Sequence, residues 1–313
     1  KMKLTKPKFW DYKKPNFISY FLLPFTIPIA INNFFLQSKK VKKLQNIKSI
    51  CIGNIYVGGT SKTPLTIKIS QILNKLDIKT ATIKKFYKDQ VDEQRLLANK
   101  TNLYCSKKRR HSLNKAAQDK IDVVLFDDGL QDGSINYDLS FVCFNTLSWI
   151  GNGLLMPAGP LREKIQSISK YDAIFLNGNE ENNSEIKKII KKYSPTIKIF
   201  ETSYQIINIG EFPKNKEYLV FSGIGNPATF ENTLIKSNLK IAKHLKFPDH
   251  HKYNQKDIDE IKYQAKDLNA KILTTEKDFV KLNSNNCVGI QFIEIDIKIK
   301  EENELIKLIR SNI

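Results

Sequence analysis

The spacing of apolar positions changes several times along the chain, and the changes mark its elements. "IKSICIGN" (Ile47 to Asn54) is a short continuous apolar run, as in a strand buried on both faces. After it, Ile67, Ile69, Ile72, Leu73 and Leu76 supply the apolar side of a helix predicted from Thr63 to Leu76. Further strands are predicted at Thr80 to Lys84, Ile121 to Phe126, Leu139 to Phe144 and Ala173 to Leu176, separated by helical or loop segments. This alternation predicts a mostly parallel sheet with helices on its faces. A second α/β stretch begins near Tyr218 with "YLVFSGIGNP" and runs through "KIAKHLKF", "AKILTTEKD" and "GIQFIEID" to a short terminal helix from Glu301. Between Thr202 and Lys216 the pattern loosens around Gly210 and Pro213. The expected division is an N-terminal segment 1–45 packed with the first domain, a larger domain 46–208 and a smaller α/β domain 209–313.

The N-terminal segment follows another rule. From Pro15 to Ser38 no residue is charged, while Lys8, Lys13 and Lys14 precede the stretch and Lys39, Lys40, Lys42 and Lys43 follow it. The length would suit a membrane span. Pro24 and Pro28 interrupt a helix, however, Asn32 and Asn33 are costly at mid-bilayer, and lysines at both ends give no orientation signal. A helix or broken helix lying in the lipid interface is expected, with aromatics in the acyl boundary and lysines on anionic headgroups; a buried core helix and a true span are the alternatives. A secretory signal is disfavoured, because no small-residue cleavage site follows the apolar part.

Composition adds one constraint. The 313 residues, 41% of them hydrophobic, can bury a sizeable core, and the net charge of +19 implies an anionic partner without choosing among nucleic acid, lipid headgroups and a phosphorylated substrate. Cys51, Cys105, Cys143 and Cys287 lie far apart with no CxxC pair, which points to a reducing compartment and no structural zinc.

Candidate chemistry starts at "VGGTSKTP" (Val57 to Pro64). A phosphate loop needs a strand, exposed backbone N–H groups, a lysine for the outer phosphates, a hydroxyl for Mg²⁺ and a helix N-terminus aimed at the anion. Gly58, Gly59, Thr60, Ser61, Lys62 and Thr63 supply these in order, but the strict pattern GxxxxGK[ST] meets Tyr56 at its first glycine and Ser61 at its second. Taken alone, the string fits an ATP loop and an ordinary strand-to-helix turn equally. "VVLFDDGLQ" then places Asp127 and Asp128 directly after an apolar strand, as in a Walker B strand, although paired acids there can also cap a helix. Together the two motifs favour a P-loop NTPase-like core with ATP and Mg²⁺ as cofactors.

In this order, "GNIYVGGTSKTP", "DEQRLLA", "DDGLQ", "MPAGPLRE", "SGIGNP", "FPDHHKY" and "TTEKDFVKL" resemble the tetraacyldisaccharide 4′-kinase family, the lipid A kinases, over nearly the whole chain. The resemblance implies a kinase at the cytoplasmic face of the bacterial inner membrane. It would transfer the ATP γ-phosphate to the 4′-hydroxyl of an acylated glucosamine disaccharide phosphate, giving lipid IVA; no protein partner is implied. It also implies roles. Lys62 would neutralise the β- and γ-phosphates, Thr63 would hold Mg²⁺ supported by Asp127 and Asp128, Asp92 would be the base at the acceptor hydroxyl assisted by His250, and Arg162, with Glu163 beside it, would lie near phosphate. With Asp92 in the first domain and His250 in the second, the site would form across a cleft and close by domain motion.

Blander readings stand beside these. Asp92 can be a helix cap, His250 a turn residue, Arg162 and Glu163 a surface ion pair, and "SKKRRH" (Ser106 to His111) a solvated loop. The role of Glu276, Lys277 and Asp278 is open. The chain also departs from the resemblance: glycine is usual at Ser61, a Ser-Arg-Gly-Tyr-Gly-like stretch at Lys84 to Lys88, and Gly-Asp-Glu-Pro at Val91 to Gln94. Retention of Lys62, Thr63, Asp92, Asp127, Asp128 and His250 favours an active enzyme. The rivals are a noncatalytic membrane-associated nucleotide-binding protein and a nucleic-acid-stimulated NTPase. Nucleic acid is not expected as a partner, because no aromatic-interleaved basic motif occurs.

Overall fold

The computed structural model describes residues 6–38, 47–178 and 183–313; Lys39, Lys40, Lys42 and Lys43, invoked above as headgroup contacts, lie outside them. In chain order the elements are α1 (Phe17–Phe21), α2 (Ile27–Ser38), β1 (Lys48–Gly53), α3 (Lys62–Asn74), β2 (Thr80–Lys85), α4 (Val91–Lys100), β3 (Leu103–Ser106), α5 (Arg109–Gln118), β4 (Val123–Asp127), β5 (Leu139–Asn145), β6 (Ala173–Asn177), α6 (Asn183–Tyr193), β7 (Lys198–Ile206), β8 (Glu217–Ser222), α7 (Pro227–Lys236), β9 (Lys240–Lys246), α8 (Gln255–Asp267), β10 (Lys271–Thr275), α9 (Glu276–Phe279), β11 (Ile290–Ile293), β12 (Ile295–Ile299) and α10 (Glu302–Arg310). All the strands predicted from apolar runs form. β3 and β7 were not anticipated: β3 has four residues, and β7 is half-exposed along much of its length.

The chain divides into two compact units, Lys1–Lys85 with Thr101–Ser203 and Ile299–Ile313, and Phe86–Lys100 with Tyr204–Lys298. This differs from the contiguous division at residue 208. The helix α4 groups with the second unit because it packs on α9, with Arg95 donating to the Val280 carbonyl at 2.9 Å and Lys100 pairing with Glu276 at 2.7 Å. The terminal α10 groups with the first unit, where Lys68 faces Glu302 at 3.9 Å.

An eight-stranded sheet has the order β12-β7-β6-β5-β1-β4-β2-β3, and its pairs from β7 to β3 are parallel. β1 lies between β5 and β4, so strand order reverses around it, and in open α/β sheets ligands bind beyond the carboxyl ends at such a point. Side chains alternate faces along a strand. Cys51, Ile83 and Phe126 share a cluster with Leu113 and Ala116 of α5, which places their successors Lys84 and Asp127 on the opposite face, where α3 packs. Another cluster, from Val142, Phe144, Ile174 and Leu176, is covered by Ile186 and Ile190 of α6. The second unit carries a parallel four-stranded sheet, β11-β10-β8-β9, with α8 over one face through Ile258 and Ile261 and α7 over the other through Phe230 and Leu234.

The N-terminal segment packs on the first unit. Trp10 donates from its indole to the Pro157 carbonyl at 2.9 Å, Asn152 donates to Ser19 at 3.0 Å, and Asn33 donates to the Arg162 carbonyl at 2.8 Å. The prolines interrupt it as expected: α1 ends at Phe21, a 3₁₀ turn containing Pro24 spans Leu23–Thr26, and α2 restarts at Ile27. Among the described residues no helix is long and apolar enough to cross a membrane. Phe17, Phe21 and Phe34 are respectively 84%, 68% and 66% exposed.

At the α3 N-terminus, Ser61 adopts φ 67°, ψ 17°, the left-handed conformation for which the strict pattern keeps a glycine. A side chain there carries strain of about 1 kcal/mol. Ser61→Gly is therefore expected to raise the urea midpoint of the first unit by the equivalent of about 1 kcal/mol; an unchanged or lowered midpoint would show that the serine side chain more than offsets the backbone cost.

Candidate active site

The first cluster grows from the turn between β1 and α3. Gly58 has φ 148°, and a Cβ there would stand 2.9 Å from the Tyr56 ring, so the aromatic at the pattern's first glycine position is accommodated by a glycine two residues on. Asn54 braces the turn by donating to Thr60 Oγ1 at 2.8 Å. From the far side it is held by "GPLRE", with Val57 N–H on the Pro160 carbonyl at 2.9 Å and Arg162 N–H on the Ile55 carbonyl at 2.7 Å. The helix then begins at Lys62, and Thr63 donates its hydroxyl to Asp127 Oδ2 at 3.0 Å.

Neither aspartate caps a helix. Asp127 is fully buried at the end of β4, and its Oδ2 also accepts from Lys84 Nζ at 2.7 Å. Asp128, at φ 60°, lies 3.7 Å from Lys62 and 3.1 Å from Arg162. Glu163 is buried rather than a surface partner for Arg162: it accepts from Gln131 at 2.7 Å and from Tyr171, while Gln131 also donates to the Asn54 carbonyl at 3.0 Å. Arg109, expected in a solvated loop, is buried and donates to Asp132 at 3.0 Å and to the Asp128 carbonyl at 2.5 Å, fixing the acidic turn from behind.

The second cluster lies in the other unit. Asp92 sits in the first turn of α4, buried to 3% exposure, and His250 Nδ1 is 2.9 and 3.0 Å from its two oxygens. Asp92 and His250 thus belong to one unit, not to two as the sequence suggested. Asp92 is not the helix cap, because α4 already begins at Val91; its Oδ1 also accepts the Glu93 N–H at 2.9 Å within the first turn. His250 occupies a turn at φ 57° with its N–H on the Gly223 carbonyl at 3.2 Å.

"TTEKD" organises this region. Asp278, fully buried, accepts from Gly223 N–H at 3.0 Å, Tyr253 at 3.1 Å and Thr275 at 2.7 Å. A Cβ on Gly223 would come within 3.2 Å of the same carboxylate, so a side chain there would press on it. Lys277 lies 3.1 Å from Glu93, 3.3 Å from Asp249 and 3.7 Å from Asp92, and Lys281 lies 3.8 Å from Asp92. Burial works to raise the Asp92 carboxyl, but the His250 hydrogen bond and the charges of Lys277, His250 and Lys281 outweigh it and hold the group below its ordinary value. Burial likewise works to lower Lys277, and Glu93, Asp249 and Asp92 reverse it, raising the ammonium well above the lysine range.

A family model described as tetraacyldisaccharide-1-P 4′-kinase matches residues 21–313. A tetraacyldisaccharide 4′-kinase of Pelagibacter ubique (strain HTCC1062) is 50% identical over 315 residues, covering 99% of this chain and all of its own. The chain belongs to the tetraacyldisaccharide 4′-kinase family. A kinase of the same name from Rickettsia bellii (strain OSU 85-389) is 31% identical, with 96% of each chain covered. Among solved structures, the "apo" form LpxK from Aquifex aeolicus in complex with ATP aligns over 94% of this chain and 99% of its own with a TM-score of 0.69 at 23% identity, a likeness of fold.

Within this kinase family member, sequence reasoning missed Lys84, Arg109, Lys277 and Lys281 as site neighbours. The two basic residues of "TTEKDFVKL" carried a motif signal that did not name their partner, and Lys84 stood out as a departure from the resemblance. The sign of their effect on Asp92 is testable. Because the folded carboxyl titrates below its unfolded value of about 3.9, its contribution to stability is complete above that pH and is lost as pH falls through the folded value. Lys277→Met should move the Asp92 carboxyl upward in a ¹³C-detected titration, since burial then meets less opposing charge; a carboxyl that stays in place would remove Lys277 from this account.

Proposed function

We propose that the protein transfers the γ-phosphate of ATP to the 4′-hydroxyl of tetraacyldisaccharide 1-phosphate, yielding lipid IVA. The observation that carries this reading is the pairing of buried Asp92 with half-buried His250 at 2.9 Å, in a chain of this family. A phosphate loop alone specifies a nucleotide, whereas a hydroxyl acceptor also needs a group to take its proton.

The roles follow from the clusters. Backbone N–H groups from Gly58 to Lys62 and the α3 N-terminus cradle the phosphates, and Lys62 turns from Asp128 to the β- and γ-phosphates. Arg162, beside Asp128, offers a second cation to the same anion. Mg²⁺ fits here on one specific feature: Asp127 Oδ1 is buried and has no hydrogen-bond partner among the described residues, next to the Thr63 hydroxyl. Thr63 would hold the ion, with Asp127 and Asp128 behind it. Among the described residues no three His, Cys, Asp or Glu side chains converge on a metal position, which suits an ion completed by nucleotide and water. When bound, it neutralises charge on the β- and γ-phosphate oxygens.

Asp92 accepts the acceptor proton. A carboxylate held at low pKa is a weak base, but it is fully ionised at neutral pH. In a loose phosphoryl-transfer transition state the proton leaves late, so orientation matters more than basicity. His250 Nδ1–H donating to Asp92 sets that orientation. The acyl chains call for an enzyme at the lipid surface; the exposed Phe17, Phe21 and Phe34 with the exposed Lys8, Lys13 and Lys14 suit an anionic interface.

Incubation with Mg-ATP and tetraacyldisaccharide 1-phosphate in detergent micelles should give a lipid bearing one more phosphate. Asp92→Ala is expected to lower kcat/KM by roughly 10²- to 10⁴-fold, and Lys62→Ala to abolish turnover with the fold intact. ATP binding without product would identify a noncatalytic nucleotide-binding protein.

Flotation with anionic phosphatidylglycerol vesicles addresses the surface. The double variant Phe17→Ser, Phe21→Ser should bind them about tenfold or more weakly than the unaltered chain. Equal binding would exclude this face as the membrane contact.

A further inference from the structure

Lys84 begins one of the stretches that depart from the family resemblance. Its position is fixed by the sheet: in the parallel pairing of β2 and β4, Lys84 is the direct partner of Asp127. Face alternation sends both side chains toward α3. The Lys84 side chain is 3% exposed and that of Asp127 is 0% exposed, with 2.7 Å between Nζ and Oδ2.

A buried pair of this kind is weak evidence of a stabilising device. Desolvation of both ions cancels much of their attraction, and an apolar pair of similar volume commonly folds as well. The location is more informative. Oδ2 already accepts the Thr63 hydroxyl, so the ammonium and the P-loop hydroxyl meet on one oxygen, and Oδ1 of Asp127 has no hydrogen-bond partner among the described residues. A full positive charge is therefore built in beside the oxygens that would serve a divalent ion.

We propose that Lys84 is a resident cation of the nucleotide site, which neutralises Asp127 and weakens divalent-ion binding there. The inference rests on the nucleotide-site reading above and goes beyond it, because it concerns how much positive charge the chain supplies itself. Two like charges a few ångströms apart in a poorly solvated site repel, and removing one should tighten binding of the other by about tenfold. Lys84 is thus a positioning residue acting through Asp127, not a group in contact with the reacting atoms.

The test uses Mn²⁺ as a paramagnetic probe, titrated by electron paramagnetic resonance into the full chain saturated with a non-hydrolysable ATP analogue. Lys84→Gln and Lys84→Met should each bind Mn²⁺ about tenfold more tightly than the unaltered chain, whereas Lys84→Arg should bind as the unaltered chain does. Unchanged or weaker binding in the neutral variants, or equal tightening in all three, would overturn the proposal. In the unaltered chain, the ¹³Cε resonance of Lys84 should broaden when Mn²⁺ and the analogue are added; an unaffected resonance would overturn the proposal even if no neutral variant folds. Failure of any chain to bind Mn²⁺ with the analogue would instead overturn the nucleotide-site reading, and this inference with it.

Discussion

The hydrogen bond from the Thr63 hydroxyl to Asp127 ties the first turn of α3 to the end of β4. It depends on the register that sets Ile52 of β1 against Asp127 of β4, which brings the start of the phosphate turn and the acidic turn to one end of the sheet. With that register fixed, each neighbouring segment has a defined partner. "GPLRE" braces the turn through Ile55 and Val57, Arg109 holds the Asp128 carbonyl, and Gln131 joins Asn54 to Glu163. A one-residue slip between β1 and β4 would turn Asp127 to the α5 face and dismantle these contacts together.

The second unit achieves comparable definition around a buried carboxylate. Its organiser is Asp278, buried in the short helix α9 that follows β10 and accepting from a loop N–H, a tyrosine and a threonine. That anchoring places Lys277 and Lys281 beside Asp92. The opposing contributions to Asp92 then fall out in a definite order: burial alone would favour the neutral acid, and the histidine and two lysines reverse the outcome.

What was legible in the sequence was mostly local. The strand before "VGGTSKTP", the helix after it and the Asp-Asp pair after a hydrophobic run are each contained in about ten residues, and their chemistry follows from order along the chain. The interruption of the N-terminal segment at Pro24 and Pro28 was legible for the same reason. The unit to which α4 belongs was not, because "DEQRLLA" carries no sign that its partner is α9, with 185 residues from Arg95 to its acceptor Val280. Arg109 was hidden by its setting, since a basic run ordinarily reads as solvated and only the tertiary structure shows one of its members buried. Lys84 stands out in the sequence as a departure from the family resemblance, but its consequence depends on the β2–β4 register.

Ser61 and Lys84 are both unfavourable locally, one by backbone conformation and one by burial of charge. They persist where the surroundings leave few alternatives. The serine is followed by a helix whose first turn is tied to Asp127, and the lysine is held in β2 with a carboxylate of the paired strand β4 as its direct neighbour. Such costs of about 1 kcal/mol or more are tolerated when many other contacts determine the same geometry. The phosphate-loop consensus therefore describes the least strained way to build this turn, and the side chains of Lys62, Thr63 and Asp127 can keep their arrangement without it.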